Sequence, residues 1–120
     1  MKILVADDES HIVNVVALKL RSAGFDVETA SDGGEALERA LELRPTLLVT
    51  DYNMPVMTGL EVCEKWSAER PGECRALLLT AKEGVLNEED AKTKGVLAIM
   101  GKPFSPRELL AKVQELTKDA

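Results

Sequence analysis

Four short apolar runs in this 120-residue chain end on side chains that can handle a metal ion or a phosphate. Lys2–Ala6 runs into Asp7 and Asp8, and Thr46–Thr50 runs into Asp51. Ala76–Leu79 runs into Thr80, and Val96–Met100 runs, after Gly101, into Lys102. In parallel α/β sheets ligands bind at the carboxyl ends of the strands. Three carboxylates, a hydroxyl and an ammonium would then converge on one edge. That set reads as a site for a divalent cation and a phosphoryl group.

Adjacent acids such as Asp7 and Asp8 resist joint ionisation unless a cation compensates them. A hard divalent ion suits oxygen donors, and Mg²⁺ fits best because it combines one or two carboxylates with water and phosphate oxygens. Mn²⁺ is the alternative. Taken alone, the two acids could equally cap a helix. Asp51 adds the second half of the chemistry. It ends a buried run and opens a turn-rich loop to Gly59, with Pro55 inside it. A carboxylate can accept a phosphoryl group as an acyl phosphate. Because that joins anion to anion, the site must supply positioning and charge neutralisation. Lys102 offers a point charge and Thr80 a hydroxyl for phosphate oxygens. Singly, these two read as a surface lysine and a buried threonine bonded to its own backbone.

The elements needed to position these groups are visible around them. Apolar runs and amphipathic stretches alternate five times, which gives an α/β, doubly wound parallel sheet of five strands and five helices. Leu47–Val49 and Ala76–Leu79 lack alternation, as strands buried on both faces do. The first helix should start near Glu9 or Ser10 and stop at Ala23-Gly24. Its inward face is read as Ile12, Val15, Val16, the stem of Lys19 and Leu20. Asp32 with Glu35, Thr58 with Glu61 and Ser105 with Glu108 each fit a cap residue followed by an acid three positions later. Asn87, followed by Glu88, Glu89 and Asp90, marks another helix start, and Gly95 a stop.

Composition bounds the function. Hydrophobic residues make up 45% and charged residues 30%, the balance of a folded domain and not of a disordered tail. Residues 1–120 are read as a single domain. The net charge of −6 argues against non-specific nucleic-acid binding. No apolar stretch reaches the roughly 20 residues of a membrane span, and the expected compartment is the cytoplasm. Cys63 and Cys74, eleven positions apart, match no metal-ligand spacing and read as reduced packing residues. His11, the only histidine, is expected at the surface.

The motifs Ile3-Leu-Val-Ala-Asp-Asp-Glu9, Asp51-x-x-Met-Pro-x-Met-x-Gly59, Leu79-Thr-Ala81 and Lys102-Pro-Phe104 together resemble those of response-regulator receiver domains, the phosphoacceptor modules of two-component signalling. The resemblance runs from Lys2 to about Leu116. It implies the flavodoxin-like receiver fold, with strand order 2-1-3-4-5. It makes Asp51 the acceptor, phosphorylated by a histidine kinase or a histidine phosphotransfer protein. Asp8 and Asp51 would ligate Mg²⁺ directly, Asp7 through water and Asn53 through its backbone carbonyl. Thr80, the Ala81 N–H and Lys102 would contact the phosphoryl group, and Lys102-Pro103 is expected to be a cis bond. Asn53 and Lys82 lie where side chains admit or block hydrolytic water. The output surface is expected within residues 88–117, facing a protein partner or an output domain. Neither nucleic acid nor membrane should bind here, and the domain should be a monomer or a phosphorylation-dependent dimer.

One position departs from the pattern. Receivers commonly carry Tyr or Phe three residues before the lysine, and here that residue is Ile99. Phosphorylation chemistry is expected to survive while the usual aromatic coupling step is altered. Two competing functions are a degenerate receiver used as a scaffold, favoured only by Ile99, and a Mg²⁺-dependent phosphatase with an aspartyl intermediate. The phosphatase reading suffers because Asn53 stands where a leaving-group acid would be needed. No independent substrate turnover is expected beyond the domain's own phosphorylation and dephosphorylation.

Overall fold

The computed structural model describes residues 1–81 and 87–118. In chain order the elements are β1 (Lys2–Ala6), α1 (Ser10–Ser22), β2 (Asp26–Ala30), α2 (Gly33–Leu43) and β3 (Leu47–Asp51). They continue as α3 (Gly59–Glu69), β4 (Ala76–Thr80), α4 (Glu88–Thr93), β5 (Val96–Gly101) and α5 (Pro106–Thr117). The strands form one sheet in the order β2-β1-β3-β4-β5, and every pairing is parallel. The expected architecture and strand order are therefore present.

Side-chain alternation along the strands divides the core into two layers. Ile3, Val5, Leu47, Val49, Leu77 and Leu79 pack with Val16, Leu20, Leu109 and Val113 of α1 and α5. Leu4, Leu48, Ala76 and Leu78 pack on the other face with Ala36, Ala40, Val62, Trp66 and Ala91 of α2, α3 and α4. All residues of β3 and β4 are buried, as their unalternating sequences require.

The helix starts follow their local chemistry. Asp32, Asn87 and Ser105 accept the backbone N–H three residues on, and Thr58 and Glu61 form a reciprocal capping box. α1 differs. Its N-cap residue, Glu9, makes no side-chain cap, and Asp7 Oδ1 instead accepts the Glu9 N–H at 3.0 Å.

The inward face of α1 also needs correction. Val13, Val16, Ala17 and Leu20 are buried, whereas Val15 is exposed and Ile12 half-buried. Because Ile12 to Leu18 is almost continuously apolar, its composition does not fix the helical phase. Cys63 and Cys74 are free thiols buried in the core, as expected. The hydrogen bond with Cys74 first, and burial second, push the Cys63 thiol well above its ordinary value.

Candidate functional site

All strands run the same way, so their carboxyl ends share one edge. β1 and β3 lie side by side, and the chain leaves β1 toward β2 but leaves β3 toward β4. A crevice opens where the connections diverge. Asp7 and Asp8 follow β1, and Asp51 ends β3. One ligand atom from each of these three acids lies within 4.8 Å of the others. Asp7 and Asp51 are buried, while Asp8 is exposed.

Lys102, just past β5, reaches into the same space from the far side of β4. Its Nζ donates to Asp51 Oδ1 at 3.1 Å and to Asp7 Oδ2 at 3.2 Å. Its backbone is tied to the end of β4. The Lys102 N–H donates to the Thr80 carbonyl at 2.7 Å, and Lys102-Pro103 is cis, as the resemblance implied. Burial works to lower the ammonium's pKa, but the hydrogen bond and charge of Asp51, followed by those of Asp7, outweigh it and hold Lys102 above its ordinary value. Asp51 is shifted upward, by burial first and the Asp7 charge second, with Lys102 opposing. Three carboxylates against one ammonium leave a formal charge of −2 when all are ionised. A hard divalent cation is the counter-charge that such an oxygen donor set fits.

Thr80 is buried at the end of β4, and Ala81 follows it, exposed. Asn53 is exposed two residues beyond Asp51, on the loop leading to α3. Lys82 lies outside the described residues. His11 is exposed and sits with Ile12, Val15 and Phe104 on the wall of an apolar groove of about 430 Å³ beside Lys102, away from the acids.

Sequence reasoning missed two supports of the acidic pocket. Thr50 Oγ1 donates to the Asp51 carbonyl at 3.0 Å. The Gly33 N–H donates to the Pro55 carbonyl at 3.1 Å, tying the β3–α3 loop to the start of α2. A β-carbon at Gly33 would collide with the Met57 carbonyl, so the paired glycines at 33 and 34 were the available clue. Thr50 left no comparable clue within an apolar strand.

A doubly wound parallel sheet with a lysine-bridged acidic pocket at its switch point defines a class of phosphate-handling α/β signalling modules. The chain belongs to the response regulator receiver domain family, which it matches over residues 3–114. It is 40% identical over 117 residues to the alkaline phosphatase synthesis transcriptional regulatory protein PhoP of Bacillus subtilis, covering 98% of this chain and 48% of that protein. It is 34% identical over 113 residues to the DNA-binding response regulator MtrA of Mycolicibacterium paratuberculosis, covering 94% of this chain and 49% of that one. The chain thus spans about half the length of the curated relatives it matches. Among solved structures, a CheY-like receiver domain protein from Methanospirillum hungatei superposes with a TM-score of 0.88 at 30% identity, covering 98% of this chain and 94% of that one. Chemotaxis protein CheY4 of Vibrio cholerae gives 0.85 at 35% identity, covering 96% and 97%. The domain is a phosphoacceptor module of two-component signalling. Among the described residues, no helix is long and apolar enough to cross a membrane.

Proposed function

We propose that Asp51 is the phosphoryl acceptor and that its Mg²⁺-dependent phosphorylation switches residues 1–120, read as one receiver domain, between two states. The observation that carries this reading is the placement of Lys102 Nζ, 3.1 Å from Asp51 and 3.2 Å from Asp7, beside a three-carboxylate cluster. An Asp51 oxygen attacks phosphorus while the P–N bond to the donor histidine breaks. The electron pair stays on the imidazole nitrogen, which takes up a proton. Lys102 already stands at the acceptor oxygen and can pair with a phosphoryl oxygen after a small movement. Thr80 and the Ala81 N–H are the proposed donors to the remaining oxygens.

Asp7, Asp8, Asp51 and the Asn53 carbonyl would hold Mg²⁺, or Mn²⁺. When bound, the ion would offset the charge of the acids and of the phosphoryl oxygens. Asp7 uses Oδ1 on Glu9 and Oδ2 on Lys102, which supports its acting through water while Asp8 and Asp51 ligate directly.

The proposed donor is a histidine kinase or histidine phosphotransfer protein in the cytoplasm. The proposed output surface lies within residues 88–117, where a small groove runs between α4 and β5 beside exposed Leu97. Its partner would be a downstream protein or output domain, with the receiver monomeric or dimerising on phosphorylation. Binding would follow the population of the phosphorylated state. No turnover of independent substrates is proposed.

Intact-mass spectrometry after incubation with acetyl phosphate tests the reading. A phosphoryl mass gain is expected that requires Mg²⁺ and vanishes in Asp51→Asn. A gain retained in that variant at wild-type level, or one indifferent to chelation, would overturn it.

A further inference from the structure

Thr50 is the one hydroxyl in a strand that otherwise reads Leu47-Leu48-Val49 before the acceptor, and it is fully buried. Valine has nearly the same shape and would fill the space without burying a polar group. A buried hydroxyl is costly unless it is bonded. This one donates to the carbonyl of Asp51 at 3.0 Å, with the Met54 sulfur a more distant acceptor at 3.7 Å. Its single proton favours the nearer oxygen.

That carbonyl belongs to the Asp51–Tyr52 peptide, whose other polar atom is also held. The Tyr52 N–H donates to the Leu79 carbonyl of β4 at 2.8 Å. Both ends of one peptide plane are therefore pinned, the C=O by Thr50 and the N–H by β4. Thr50 and the residues before it are fixed in the ladder between β1 and β4, so the peptide planes on both sides of the Asp51 Cα are held. Together they fix φ and ψ there, and with φ the direction in which Cβ leaves the strand. The aim matters because the Asp51 carboxylate stands 3.1 Å from Lys102 Nζ and within 4.8 Å of the ligand atoms of Asp7 and Asp8.

We propose that Thr50 is a positioning residue for phosphoryl acceptance, its hydroxyl locking the peptide plane that aims the Asp51 carboxylate. This rests on reading Asp51 as the acceptor. Two variants separate positioning from packing. Thr50→Val keeps the volume and loses the hydroxyl. Thr50→Ser keeps the hydroxyl and leaves a methyl-sized gap, so it should be the less stable of the two.

The measurement is the rate constant of mass gain with acetyl phosphate at saturating Mg²⁺, alongside the thermal midpoint of each protein. Thr50→Val is expected to react about tenfold more slowly than wild type, in line with the sensitivity of such reactions to small misplacements. Thr50→Ser should react within about twofold of wild type despite its lower midpoint. Rates that follow stability, with Val as fast as or faster than Ser, would overturn the positioning role and leave Asp51 as acceptor. A wild type that gains no phosphoryl mass at all would remove the acceptor reading, and Thr50's role with it.

Discussion

Gly59 seats the first turn of α3 directly beneath Asp51. A β-carbon there would overlap the Asp51 carbonyl oxygen and stand 3.0 Å from both Thr50 Cγ2 and Leu78 Cδ2. Backbone cannot yield as a flexible side chain can. Gly59→Ala must push α3 outward or tilt the end of β3. The expected cost is about 1–3 kcal/mol, the range for overpacking a well-filled core. Chemical denaturation checks it. Because the displaced atom is the carbonyl of the proposed acceptor, the rate of mass gain should fall as well. A variant as stable as wild type would show that α3 has room the structure does not record.

Asp51 gives the isolated domain a pH dependence of definite sign. Burial, then Asp7, raise its carboxyl above the ordinary value of 3.8, so the folded protein keeps this proton to higher pH than the unfolded chain does. Stability from this group is fully present below the unfolded pKa and is lost as pH rises through the folded one. Above that window the charged carboxylate is a standing cost. Without divalent cations, Asp51→Asn should therefore unfold at a higher temperature than wild type at neutral pH. The gap should close as the pH falls toward the ordinary Asp range. Mg²⁺ should narrow it from the other side, since an ion held only by the folded state at 100 times its Kd adds about 2.7 kcal/mol to wild type. A variant that melts below wild type at neutral pH without metal would mean that Asp51 contributes more through Lys102 than it costs.

Much of this arrangement was legible in the sequence because local chemistry and global fold agree. Lys2–Ala6 is the first strand to the residue, and four helix starts carry their caps where the Asp, Thr, Asn and Ser residues stand. The acids were legible because each ends an apolar run. What the sequence could not carry was phase and through-space contact. Val15 points outward because the apolar stretch around it satisfies several helical phases. The bond from Lys102 to Asp7 spans 95 residues and exists only through the strand order. Thr50 was hidden because a hydroxyl bonded to the next residue's carbonyl has no spacing to betray it.

The loop after Asp51 stores strain at Val56. The Met57 N–H donates to the Pro55 carbonyl at 3.0 Å, closing a three-residue turn whose central residue has φ 78°. Turns of that hand are rare and strained, and a β-branched residue at positive φ is an outlier. The Val56 side chain is 76% exposed, so burial returns little. Val56→Gly should relieve the strain, since glycine has no Cβ to clash at positive φ. The relief should outweigh what glycine gives back by loosening the unfolded chain and raise the unfolding free energy by about 1 kcal/mol. Equal or lower stability in Val56→Gly would show that the turn carries no such cost.

Ile99 sets a limit on how phosphorylation can be read out. It pairs with Leu78 across the sheet, packs half-buried against the core layer containing Trp66 and Leu78, and borders the groove beside Lys92. Two heavy atoms on Cβ restrict its χ1, and a hop would leave a void in a packed layer that tolerates few. A swinging ring is thus replaced by a side chain held in one well. Methyl nuclear magnetic resonance of the phosphorylated domain should find the Ile99 rotamer unchanged, while resonances at Thr80 and Ala81 move. Any movement at the output surface must then come from the backbone, with α4 shifting against β5. A rotamer exchange at Ile99 on phosphorylation would overturn this, and would mean that isoleucine performs the swing without a ring.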